Sequence, residues 1–339
     1  MALGKKLTPL DFEKPIFEME AKIEELEELS RSTKMNLNGE VRPLRNKLDE
    51  LIGEIFDGLT PWQRVQIARH PARPFTSDYV DMIVDDFMEL HGDRNFRDDR
   101  AILTGLGRID GRKVLIVGHR KGRDTKEKLA CNFGCAHPEG YKKAWRKMKL
   151  AEKFGLPIIA LINTPGAYPG IGAEERGQAW AIAENLILMA GLRVPIISVV
   201  IGEGGSGGAL GIGVGDRVFM LEHAYYSVIS PEGCAAILWN SATKAPEAAE
   251  ALKITSQDLL KLGVVDEVIP EPLGAAHRRP AAMAEAIKAI LIRELDALAT
   301  KSPEELVDSR YEKFRKIGSL FGDAPAVMSE VEGGEPPPA

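Results

Sequence analysis

An α/β fold built on a parallel sheet is predicted by three features of this 339-residue sequence. Two short apolar runs, residues 157–162 and 194–201, are rich in β-branched side chains and nearly free of polar ones, as strands buried on both faces are. Each run passes directly into a glycine-bearing segment, 163–170 after the first and 202–208 after the second, and then into a helical pattern. A hydrophobic content of 44% with only 6% aromatic residues suits an Ala/Gly/Leu/Ile-rich α/β interior.

The net charge of −6 and the absence of a basic tract speak against nucleic-acid binding. Three cysteines, Cys131, Cys135 and Cys234, form no framework and read as reduced thiols. Residues 1–10 lack an apolar leader, and no apolar run approaches the ~20 residues of a membrane span. A cytoplasmic location is therefore expected.

Taken in order, Ile16, Met19, Ile23 and Leu26, then Val41, Leu44, Leu48, Leu51 and Ile55, recur at helical spacing on either side of the polar break 32–39. This predicts a helical hairpin over 16–55 whose apolar stripe seeks a partner surface, in the same chain or in another subunit, within an N-terminal helical region 1–100 assigned to subunit contacts. The pair Thr60-Pro61 reads as the N-cap and first residue of a helix. Ser77 and Asp78 open another, carrying Met82, Ile83, Phe87 and Leu90. At Ala101 the character changes: two apolar runs joined by Asp110-Gly111 predict a tight hairpin and the start of the α/β domain, 101–321. Residues 121–134 then read as an exposed loop, either a solubilising segment or a positive approach surface for an anion. Cys131, Cys135 and His137 lack the second ligand pair that a structural zinc site requires, so no metal is expected.

A helix is predicted over 138–154, stopped by Gly155, and another through Trp180, Ile182, Ala183, Leu186 and Ile187. Strands are expected near 217–221 and 225–229, and a helix from Ser230-Pro231 to Trp239. Two more helices near 246–252 and 255–262, a short edge strand at 264–270 and C-terminal helices over 281–299 and 303–317 complete the domain. Residues 322–339 are acidic and Pro/Gly-rich, and read as a disordered tail.

In a right-handed βαβ arrangement both glycine segments emerge at the carboxyl ends of neighbouring strands, where α/β sheets bind ligands. Five glycines among residues 202–208 exceed what a turn needs, and glycine lets a ligand approach the backbone. Backbone N–H groups from two such loops, aimed at one point, make an oxyanion hole. Neither loop fits the dinucleotide fingerprint, and no ATP-type P-loop exists. Gly204-x-Ser206-x-Gly208 matches the nucleophile elbow, with His223 or His277 and Asp216 or Asp266 as available triad partners, so a serine hydrolase is a rival reading. A non-catalytic scaffold whose glycine loops only pack against a partner is another.

The run TPGAYPG at 164–170, continued by GAEERGQ at 172–178, together with IGEGGSGGALGIGVGD at 201–216 and YSVISPEGCAAILW at 226–239, resembles the carboxyltransferase alpha subunit of bacterial, heteromeric acetyl-CoA carboxylase. Flanking agreement at Arg69-His70-Pro71, Gly118-His119, Lys121-Gly122-Arg123, 125–128, 132–134 and 269–274 extends the resemblance over about residues 10–320. Cys131, Cys135 and the tail depart from the family pattern. The resemblance implies a crotonase-like (ClpP/crotonase) fold of repeated ββα units, here with the N-terminal hairpin and C-terminal helices added. It implies transfer of a carboxyl group from carboxybiotin to acetyl-CoA, giving malonyl-CoA for fatty acid synthesis. The biotin is carried on a separate biotin carboxyl carrier protein, loaded by biotin carboxylase, and the chain works only with a beta subunit, as an α2β2 assembly. Cofactor chemistry then replaces a protein base. The motif match puts the donors for the biotin ureido enolate at Gly166, Ala167, Gly207 and Gly208, with Thr164, Pro165, Tyr168, Gly204, Gly205 and Ser206 lining the biotin site.

Overall fold

A computed structural model describes residues 7–33 and 38–318; the acidic tail and the tip of the N-terminal hairpin lie outside them. Helices α1 (Lys14–Thr33) and α2 (Asn38–Asp57) form the expected hairpin, tied by an Arg45–Glu27 ion pair. Its apolar stripe meets its own chain: Ile16, Ile52 and Phe56 pack with Leu59, Ile67 and Ala275. On α2 the deepest positions are Ile52 and Phe56, one residue on from the expected Leu51 and Ile55.

Helix α3 (Pro61–Ala68) starts at a Thr60 cap that accepts the Gln63 N–H. Helix α4 (Thr76–Ile83) is shorter than predicted, because residues beyond Val84 form strand β1 (Asp85–Glu89). Phe87 therefore lies on a sheet edge instead of a helix face, and the sheet begins ahead of Ala101. Strands β2 (Ile102–Ile109) and β3 (Arg112–His119) form an antiparallel hairpin. Its corner, Asp110 at φ +50° and Gly111 at φ +76°, has the two positive φ angles of a type I′ turn.

The segment after β3 is no plain exposed loop. Asp124 caps a short helix α5 (Thr125–Ala130) by accepting the Glu127 N–H, and a 3-10 turn follows at Asn132–Gly134. Helix α6 (Pro138–Lys153) leads to β4 (Ile158–Thr164), and α7 (Ile171–Glu175) and α8 (Gln178–Gly191) to β5 (Ile196–Gly205). Strand β5 runs into the glycine segment that the sequence reading treats as a loop. Its last three residues pair with β7 and Gly204 pairs with Thr164, so ladder partners keep them extended.

Short α9 (Ser206–Leu210), β6 (Arg217–Leu221), β7 (Tyr225–Ser227), α10 (Pro231–Trp239), α11 (Ala245–Ala251), α12 (Ser256–Lys261) and β8 (Glu267–Ile269) follow. Helices α13 (Pro280–Ala299) and α14 (Pro303–Lys316) close the described chain. The sheet order is β1-β2-β3-β4-β5-β6-β8, parallel from β3 onward, with β7 alongside the end of β5 and β8 on the expected edge. One cluster centred on β3 to β6 and covered by α6, α8 and α13 forms the main core. No helix among the described residues is long and apolar enough to cross a membrane.

Candidate active site

Two neighbouring parallel strands bring the site together at their carboxyl ends. Residues 165–170 follow β4, Ser206 to Gly208 follow β5, and the two segments touch backbone to backbone. A methyl group on Gly205 would lie 2.1 Å from the Pro165 carbonyl oxygen, and one on Gly208 would lie 2.5 Å from Ala167 N. Both approaches require glycine, whereas a methyl on Gly207 would make only an ordinary 3.7 Å contact with Ile182. Space is open beyond Gly166, which has no neighbour within 4 Å in the side-chain direction.

The corner between β5 and α9 is Ser206, exposed and at φ +50°, a conformation unusual for a residue with a side chain. No side chain caps α9, so the first-turn N–H groups at Gly207 and Gly208 lack intrahelical acceptors. In the first loop the Thr164 hydroxyl is turned inward. It accepts the Gly166 N–H at 3.0 Å and lies 2.8 Å from the carbonyls of Gly134 and Gly166, donating to one at a time. The Gly166 N–H is thus engaged within its own loop, and no hydrogen bond ties the Ala167 N–H to another described residue. Tyr168 lies tilted by 32° against His137 with ring centroids 4.1 Å apart, and its backbone is held by Ala136 and Gln178. A methyl group on Gly204 would lie 2.7 Å from the Tyr226 ring.

The residues beneath are charged and buried. Glu203 accepts from Arg69 Nε and the Tyr225 hydroxyl, each at 2.7 Å, and pairs with Lys121; Arg69 also pairs with Glu232. Burial pushes the Glu203 carboxyl up, but Lys121 and Arg69 outweigh it and hold the pKa at about 2. Burial pushes the Lys121 ammonium down against the pull of Glu203. His119, wholly buried next to these loops, is held neutral by burial, at about 3. Sequence reading passed over Lys121 and Glu203 as chemistry. The signal was present: an acid inside a buried glycine-rich strand needs a cationic partner.

The triad alternatives disperse. His223 pairs with Arg64, His277 with Glu13, Asp216 with Arg310 and Asp266 with Lys313, and none reaches Ser206. Cys131, Cys135 and His137 do not converge on one point. Among the described residues the metal-capable group is Glu13, His70 and His277, with ligand atoms within 4.8 Å of one another. Most of its atoms are engaged: His70 Nδ1 accepts the Ala72 N–H, His70 Nε2 meets the Thr8 carbonyl and His277 Nε2 meets Glu13, while His277 Nδ1 is buried without a partner.

A mixed sheet with paired backbone loops at its carboxyl edge is a crotonase-like arrangement. The transcarboxylase 12S hexamer core matches with a TM-score of 0.51 and 24% identity, over 64% of this chain and 42% of that one. A Pseudomonas malonate decarboxylase hetero-tetramer matches with a TM-score of 0.53 and 16% identity, over 63% and 85%. These similarities concern the fold alone, and this chain spans less than half of the 12S chain. Residues 9–318 match the family described as acetyl co-enzyme A carboxylase carboxyltransferase-like. The acetyl-coenzyme A carboxylase carboxyl transferase subunit alpha of Xanthomonas campestris pv. campestris is 58% identical, over 92% of this chain and 98% of that protein. That of Stenotrophomonas maltophilia is 57% identical, over 91% and 97%. The chain belongs to the family of acetyl-CoA carboxylase carboxyltransferase alpha subunits.

Proposed function

We propose that this chain is the alpha half of a cytoplasmic carboxyltransferase that, with a beta subunit in an α2β2 assembly, moves a carboxyl group from biotin to acetyl-CoA and forms malonyl-CoA. The biotin rides on a separate carrier protein charged by biotin carboxylase. What supports this reading is the close backbone contact between the two glycine loops, which sets Gly208 against Ala167 N and Gly205 against the Pro165 carbonyl. A ureido oxygen suits such a site: it accepts several hydrogen bonds, and fixed backbone dipoles stabilise charge that grows on it. Biotin, when bound, carries the carboxyl group and supplies the base for the acetyl methyl proton. The residues of this chain hold that oxygen, with Pro165, Gly166, Gly205 and Ser206 shaping the walls. Gly166 acts through its open face, because its N–H is engaged by Thr164. No side chain of this chain needs to take a proton.

Incompleteness supports the need for a partner. Helix α8 is apolar nearly all round, yet leaves Trp180 68% and Ile187 76% exposed, and α10 exposes Ile237 and Leu238 beside Val228. Such faces call for cover. Mixing the chain with its beta subunit and following carboxyl transfer from malonyl-CoA to biocytin tests the proposal. Activity is expected only in the mixture. Transfer by this chain alone, or no gain on mixing, contradicts it.

A further inference from the structure

Below the two loops one side chain links three strands. Lys121 leaves the end of β3 and its aliphatic stem runs under Gly134, so closely that a methyl on Gly134 would lie 2.8 Å from Lys121 Cγ. The Gly134 carbonyl in turn lies 2.8 Å from the Thr164 hydroxyl that shapes the first loop. The Lys121 ammonium then ends on Glu203, which immediately precedes Gly204 and Gly205 on β5. Glu203 is fixed from the other sides by Arg69 and Tyr225, and its own N–H donates to Asn163 Oδ1 on β4 at 3.1 Å. Side-chain exposure is 12% for Lys121 and 8% for Glu203. Burying two ions costs several kcal/mol each before they attract one another, and an apolar pair of similar size would serve stability as well or better. The ion pair at this place therefore calls for a role beyond holding the sheet together.

We propose that Lys121 and Glu203 are positioning residues whose pairing sets the spacing between the Thr164–Ala167 loop and the Ser206–Gly208 corner, and so the convergence of their N–H groups. The proposal rests on the reading of those loops as the ureido-oxygen site. The pair lies beneath the loops and acts through the backbone above it.

The test uses the assembled α–β enzyme carrying Lys121→Met together with Glu203→Gln, which leaves no unpaired charge in the interior. Donors displaced by a fraction of an ångström to an ångström lose transition-state stabilisation first. The double variant is thus expected to lose about 10- to 100-fold in kcat while KM for biocytin and malonyl-CoA stays within about twofold. A pair serving stability alone predicts parental kcat once charge balance is restored, and that result overturns the proposal. Should the double variant fail to fold, Tyr225→Phe removes one hydrogen bond to Glu203 and keeps the ring; about a 3- to 10-fold loss in kcat is expected, and a parental value overturns the proposal. An inactive parent enzyme removes the site reading and this proposal with it, whereas an active parent with unaffected variants removes the proposal alone.

Discussion

At the scale of single residues, contact geometry separates two adjacent glycines that look equivalent in the sequence. A Gly208→Ala methyl meets backbone at 2.5 Å and must push the loops apart, while Gly207→Ala meets only the end of Ile182 at 3.7 Å. Losing one oxyanion donor costs about 10²–10³ in rate, so Gly208→Ala is expected to lose on that order in kcat and Gly207→Ala less than about tenfold, measured in the reconstituted enzyme. Equal effects would contradict the contact geometry. Buried histidines give a pH prediction. Burial holds His119 at about 3 and His223 at about 4, against about 6.5 in an unfolded chain. Each favours the fold fully above pH ~6.5, and that contribution drains away as pH falls toward the folded values, by about 1.4 kcal/mol per unit for each group. Glu203 and Glu271, both at about 2, retain their contribution until pH falls below ~4.5. The urea midpoint should therefore drop between pH 7.5 and 5; a flat profile contradicts this. That glycines in 202–208 allow a close approach was legible; that Gly205 and Gly208 are the ones pressed on the other loop was not, because it depends on how the two strands align. The engaged N–H of Gly166 was not legible, since it depends on how the Thr164 hydroxyl rotates.

At the scale of elements, Arg310 is the most deeply buried polar anchor of α14, alongside Lys313 and the core residue Leu306. Arg310 of α14, 1% exposed, bonds Asp216 and the carbonyls of Met189, Leu192 and Val194, satisfying the end of α8 and the entry to β5 together. Removing one member of a buried pair leaves the other charge unpaired, so Arg310→Ala should lower unfolding stability by about 3–5 kcal/mol. A loss below about 1 kcal/mol in urea titration would show that α14 is anchored otherwise. Apolar patterning placed α6, α13 and β4 to within about two residues, because each buries a full face; on α8 it found the helix but not its inner face, since Trp180 and Ile187 are exposed while Gln178, Ala181, Asn185 and Met189 are buried. It failed where partners decide: Phe87 follows a helical pattern but lies in β1, whose Asp85, Met88 and Glu89 pair with β2, and residues 202–205 look like a loop but are kept extended by β4 and β7. Residues 121–134 held in part: Asp124 to Glu127, Leu129, Ala130 and Phe133 are exposed as expected, and the departure is at Lys121. Their charges suggested exposure, while Lys121 is buried by a glutamate 82 positions away.

At the scale of the whole molecule, fold and assembly follow from the same surplus of apolar surface. The sheet is closed on both faces within the chain, and the hairpin α1–α2 covers its own side of the molecule. Yet α8 and α10 still present large apolar side chains to solvent. That the chain is one part of a larger enzyme was legible from the family motifs, while the position of the uncovered faces emerges only when the helices are packed. Backbone N–H groups of this chain are proposed to bind the biotin ureido oxygen. A structure of the α–β complex with a biotin ligand tests this most directly. The ureido oxygen should lie within about 3.2 Å of at least two of the N–H groups of Ala167, Gly207 and Gly208. A ligand seated with that oxygen on any other group, in an enzyme that still transfers carboxyl, would contradict the account.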